Sequence, residues 1–135
     1  MDYFSFENLR AYKAARSLVK DVYTVIDTFP ATERYSLCDQ LRRAIISVPS
    51  NIAEGSGRRS IKEKIHFLEI SFGSLMEAYC QLEIALDLGY ITTETHSSIK
   101  NKFYDVSRLI NGLSSHFEQQ INNHTKTNPA SPHNP

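Results

Sequence analysis

From residue 61 onward, Ile61, Ile65, Leu68, Phe72, Leu75, Tyr79, Leu82 and Leu86 follow one another in steps of 4, 3, 4, 3, 4, 3 and 4 without a miss. A β-strand cannot use that spacing, because its side chains alternate faces with period two, whereas a helix returns to one face every three to four residues. The sequence therefore holds one long helix with a continuous apolar seam, and such a seam needs other helices to cover it. Ser60-Ile61-Lys62-Glu63 reads as a capping box at its start, and Gly89 as a left-handed stop at its end.

The flanking segments supply those partners. Tyr12, Ala15, Val19, Val22, Ile26 and Phe29 give a first helix over about 6 to 29, closed by Pro30. Thr32 is a plausible cap for a second, in which Leu37, Leu41, Ala44 or Ile45, Val48 and Ile52 run to the break at Gly55-Ser56-Gly57. Pro49 lies inside that run and predicts a kink rather than two helices. Thr92 or Thr93 caps a fourth, with Ile99, Phe103, Val106, Ile110, Leu113 and Phe117 on one face up to about residue 121. Residues 122–135, polar and carrying Pro129, Pro132 and Pro135, read as a disordered tail. The whole chain of 135 residues suits one domain, so the expectation is an all-α, up-down-up-down antiparallel four-helix bundle over 1–121 with a kinked second helix.

Some apolar residues lie off these seams: Ala11, Leu18 and Val25 on the first helix, and Phe67, Ile70 and Ile84 on the third. A second apolar face is what subunit contacts require, so the chain is expected to form an oligomer; a wide stripe inside a small bundle is the other reading.

Little in the sequence points to catalysis. Glu63-x-x-His66 resembles half of the Glu-x-x-His pair with which bundles hold metals, but it has no second copy and Glu63 points away from the seam. His96, His116, His124 and His133 show no shared ligand spacing and read as solvated. Cys38 and Cys80, far apart and without Cys-x-x-Cys spacing, read as reduced core thiols. The expected protein is not an enzyme and holds no cofactor or metal. The opening residues lack a basic-then-apolar leader, and no window is apolar enough for a membrane span, so a cytoplasmic protein with no membrane partner is expected.

Charge distribution says more. Lys plus Arg and Asp plus Glu balance at fifteen each, which argues against coating nucleic acid by bulk charge. Yet residues 1–64 hold eleven basic and eight acidic side chains, whereas 65–135 hold four and seven, a split of +3 against −3. Arg10, Lys13, Arg16 and Lys20 fall within an arc of about 120° opposite the first seam. Arg42, Arg43, Arg58, Arg59, Lys62 and Lys64 extend the positive charge along the second helix and the turn after it. Residues 65–99 contain no Lys or Arg, only Glu69, Glu77, Glu83, Asp87 and Glu94. These ten basic residues are candidates for contacting the phosphates of RNA or DNA. Alternatively, a basic side of one subunit meets the acidic side of the next in a head-to-tail ring. The Gly55-Ser56-Gly57-Arg58-Arg59-Ser60 turn is either a plain interhelical turn or a phosphate contact at a helix start.

Longer strings carry a family likeness. Phe29-Pro30, Thr32-Glu33-Arg34-Tyr35, Gln40-Leu41-Arg42-Arg43-Ala44 and Ser47-Val48-Pro49-Ser50-Asn51-Ile52-Ala53-Glu54-Gly55-Ser56-Gly57-Arg58 closely resemble the signature of the small bundle proteins known as the 23S ribosomal RNA intervening-sequence family. Gly73-Ser74-Leu75, Glu77-Ala78, Gln81-Leu82 and Leu88-Gly89-Tyr90-Ile91 match its second half. The resemblance implies a four-helix bundle that assembles as a ring-shaped homopentamer without enzymatic activity. Relatives are encoded within large-subunit rRNA genes, and others are accessory variability determinants of diversity-generating retroelements, which bind nucleic acid and reverse transcriptase through strongly basic surfaces. The neutral total of this chain departs from that last pattern.

Overall fold

The computed structural model describes residues 4–127, and their side chains as far as 123. Every regular element among them is helical: α1 Arg10–Ile26, α2 Leu37–Ser56, α3 Ile61–Asp87 and α4 Thr93–Thr127, with short 3-10 turns at Ser5–Asn8 and Ala31–Glu33. Each helix packs on its neighbours in sequence, and α4 returns to α1, so the four rods close around one core. Leu18, Val22 and Ile26 of α1, Leu41, Ile45, Val48 and Ile52 of α2, Leu75 and Leu82 of α3, and Phe103, Val106 and Ile110 of α4 are almost wholly shielded. Each such side chain contributes about 1.5–3 kcal/mol of transfer free energy.

Local chemistry sets the helix ends. Ser60 Oγ accepts the Glu63 amide at 3.0 Å, forming half of the expected capping box. Past α3, Gly89 takes φ 77°, the Gly89 amide donates to the Leu86 carbonyl, and the Tyr90 amide donates to that of Ala85, which together make a Schellman closure. Thr92 caps α4 by accepting the Thr95 amide at 3.1 Å. In α2 the helix passes through Pro49 as one element.

Four expectations need correction. The first helix begins at Arg10, because Leu9 is extended and Phe6, on the preceding 3-10 turn, folds its ring edge-on against Tyr12. Thr32 does not cap α2; it lies within the second 3-10 turn, and α2 starts after Ser36, whose hydroxyl donates to the Glu33 carboxylate at 2.6 Å. The buried face of α1 is Ala11, Ala15, Leu18, Val22 and Ile26, so Ala11 and Leu18 are core, while Tyr12 and Val19 are only half-buried. A helix touching two neighbours buries a stripe wider than a single seam, which accounts for the shift. Finally, α4 runs to Thr127, past the end expected at 121; of the segment expected as a tail, 128–135 lies outside the described residues. On α3 the outcome is different: Phe67 is half-buried, but Ile70 and Ile84 remain exposed.

Candidate functional site

The Ser-Val-Pro-Ser-Asn stretch of α2 sits at the α2–α3 contact. Asn51 Nδ2 donates to both the carbonyl and the hydroxyl of Ser47, each at 2.8 Å. The Ser47 hydroxyl also shares a hydrogen bond with that of Ser74 on α3, again at 2.8 Å. One turn away, the fully buried Ser71 hydroxyl donates to the Val48 carbonyl at 2.8 Å. At Gly55 the helices are so close that a Cβ would lie 2.9 Å from Cβ of Phe67 and 3.3 Å from the Lys64 carbonyl. The Asn51 amide thus serves Ser47 and not the carbonyl of Ile45, whose usual helical donor Pro49 lacks. These residues fasten two helices together and leave no reactive group exposed between them.

The ten basic candidates divide into two sets. Four have local engagements: Arg16 lies over the Tyr12 ring at 5.6 Å, Arg42 over Tyr23 and near Asp39, Arg58 over Phe67 with Glu54 at 3.0 Å, and Lys64 on the Ser56 carbonyl at 2.9 Å with Phe117 beyond. The other six, Arg10, Lys13, Lys20, Arg43, Arg59 and Lys62, are exposed and have no partner among the described residues. Arg42 and Arg43 diverge as their spacing requires, the first half-buried and the second in solvent. Because α1 and α2 are antiparallel, the start of α1 lies beside the end of α2, and the 3-10 turn before α1 packs on α2. The topology thus brings Arg10 and Lys13 to the same end of the bundle as Arg59 and Lys62. Glu7 and Glu63 share that end, whereas Glu54 is taken by Arg58.

Alongside this end runs a groove of about 340 Å³ between α1 and α2, lined by Phe6, Tyr12, Val19, Ile46, Pro49 and Ala53 with Arg16 and Ser50. The spacing rules for single helices did not reveal it, since it is a property of two elements together. The opposite end of the bundle is tied by Glu33, whose carboxylate accepts from Ser36 on one oxygen and from Tyr90, across the α3–α4 loop, at 2.7 Å on the other. Those two hydrogen bonds hold the Glu33 carboxyl below its ordinary range, and the same bond pushes the Tyr90 phenol up.

Other polar candidates also find places. Cys38 is buried, and burial pushes its thiol up, but Cys80 is exposed on α3, against expectation. His96, expected in solvent, is buried with its ring against Tyr79 at 5.6 Å, because it continues the Ile99–Phe103 face of α4 by one more step of three. His66 and His116 are exposed; the side chain of His124 and all of His133 lie outside the described residues. Among the described residues no three His, Cys, Asp or Glu side chains converge as a metal site would require, and no helix is long and apolar enough to cross a membrane.

Comparison with known proteins places these features in context. The family described as 23S rRNA-intervening sequence protein matches residues 7–112. Among solved structures, the chain is similar to a protein with unknown function from the S23 ribosomal protein family of Bacteroides thetaiotaomicron VPI-5482. The two share 20% identity at a TM-score of 0.71, covering 77% of this chain and 97% of that one, a likeness that bears on the fold. No curated protein matches the sequence.

Proposed function

Because the chain belongs to the 23S rRNA-intervening sequence protein family, we propose that it is a cytoplasmic, non-enzymatic bundle protein that assembles as a ring and binds nucleic acid through its basic surface. The observation that carries this reading is the set of six exposed basic side chains without partners among the described residues. An unpaired surface cation costs little to bring against a phosphate, and each phosphate it neutralises releases condensed counterions. Arg10, Lys13, Arg59 and Lys62 supply the cluster at one end, with Lys20 and Arg43 farther along α1 and α2. Glu7 and Glu63 temper that end, so the contact engages no more than the phosphates these six side chains reach and recognises shape or flexibility more than a long duplex.

The test is an electrophoretic shift with structured RNA, single strands and duplex DNA at about 50 and about 200 mM salt. Binding at the lower salt that weakens by a factor of about 10³ at the higher is the expected result for some six phosphate contacts. Absence of a shift with any of the three at micromolar protein overturns the reading. A second reading, a scaffold that binds only proteins, is favoured by the uncovered apolar residues of α3.

A further inference from the structure

The grooves of this bundle differ in charge. Those between α1 and α4 carry Asp21, Glu94 and Asp105, one between α3 and α4 carries Glu69, and the pocket at the α1–α2 loop carries Asp27. The groove of about 340 Å³ between α1 and α2 has no acid among the described residues that line it. Sequence explains the difference: α1 holds no acid from Arg10 to Lys20, and α2 holds none between Asp39 and Glu54, which are engaged by Arg42 and Arg58. The volume falls at the small end of ligand pockets, which span roughly 300–1,000 Å³.

Its floor is aromatic and apolar, and its rims are cationic. Phe6 meets Tyr12 edge-on at 4.8 Å, and both residues are only half-buried. Facing them on α2 are Ile46, Pro49 and Ala53, of which Ile46 is 43% exposed. At about 100° per residue, Arg16, Lys20 and Lys13 lie about 40°, 80° and 100° around α1 from Tyr12, and Arg43 lies about 60° around α2 from Ile46. All four cations are exposed; Arg16 stands over the Tyr12 ring at 5.6 Å, and the other three have no partner among the described residues. Lys13 and Lys20 are separated by about 10 Å along the helix axis, which leaves room for one base with a phosphate on each side. An unpaired strand matches this arrangement, because its bases offer π faces and its phosphates negative charge, whereas a duplex keeps its bases inside the stack.

We propose that this groove takes one unpaired base of a single-stranded nucleic acid, laid against Tyr12 and Phe6 beneath the Arg16 guanidinium, with the flanking phosphates on Lys13 at one end and on Lys20 and Arg43 at the other. Resting on the nucleic-acid binding put forward above, it adds a site for the base to the phosphate contacts. Arg10, Arg59 and Lys62, at the adjoining end of the bundle, continue the phosphate track. Since the base has to leave its stack to enter, single strands and loops use the groove, and an uninterrupted duplex meets only the cations.

A strand without bases tests it while the protein stays unaltered. An oligothymidine strand and an abasic strand of the same length and charge are compared by fluorescence anisotropy at about 50 mM salt. The wild-type chain should bind the thymidine strand roughly tenfold or more tighter, the contribution of a stacked base, with the same salt dependence for both strands. Tyr12→Leu, which keeps an apolar side chain on the floor, should retain helical content and affinity for the abasic strand while losing most of that preference. Equal wild-type affinity for the two strands, or a folded Tyr12→Leu chain that keeps the full preference, overturns the groove and leaves phosphate binding standing. Failure of both strands to bind rejects nucleic-acid binding and the groove together.

Discussion

Gly55 shows how one residue type sets the distance between two elements. Helix propensity alone would favour alanine there by roughly 0.5–1 kcal/mol. The added methyl, however, would stand 2.9 Å from Phe67 Cβ and 3.3 Å from a backbone carbonyl, neither of which can swing aside. Gly55→Ala is therefore expected to lower stability by about 1–3 kcal/mol in urea denaturation, the usual penalty of overpacking, despite its better propensity. Glu33 makes a different residue-scale prediction. Its folded carboxyl lies below the unfolded value, first because of Ser36 and then because of Tyr90, so its contribution is present above the unfolded value and fades as pH falls through the folded one. Tyr90, raised by the same bond, contributes below its unfolded value and loses that contribution as pH rises through the folded one. Tyr90→Phe should thus lower the melting temperature most between the carboxylate and phenol ranges, and its melting curve should converge with that of the wild type at strongly acidic pH. A constant difference across pH would show that the Glu33 bond is not its source.

At the scale of elements, the features visible in the sequence were those governed by local chemistry. The Ser60 and Thr92 caps and the glycine stop at Gly89 need only a few adjacent residues, and each appears in the fold at its expected place. Of the α3 seam, Leu68, Leu75 and Leu82 are buried and Ile61, Ile65, Phe72, Tyr79 and Leu86 only half-buried, because the buried face is turned toward Ser71, Ala78 and Ala85. What escaped was decided by neighbours. The buried face of α1 is turned relative to its simplest seam because α2 and α4 flank it on both sides, which puts Ala11 and Leu18 in the core. His96 is buried by its register with the Ile99–Phe103 face, and Cys80 is exposed because it shares the outward side of α3 with Met76, Glu77, Glu83 and Ile84; neither is visible from residue type. The basic candidates were legible as a set but not in their engagements, since the partners of Arg16, Arg42, Arg58 and Lys64 include rings and carbonyls that charge counting ignores.

For the whole molecule, zero net charge coexists with a division of surfaces: unpaired cations where α1 begins and α2 passes into α3, and acid mixed with apolar residues along the outside of α3. Opposite charge confined to different faces permits association without general stickiness toward nucleic acid, because long-range steering is weak and only contact geometry rewards binding. A protein built this way should lose affinity in steps as individual cations are removed rather than collapse with the first.

The most direct measurement is the slope of log affinity against log salt for a single-stranded RNA, compared between the wild type and R59Q/K62Q by fluorescence anisotropy. Each phosphate contact removed lowers the slope by about 0.7–1. The account predicts that the double variant binds more weakly with a slope smaller by about 1.5–2, at unchanged helical content. An unchanged slope and affinity would contradict it.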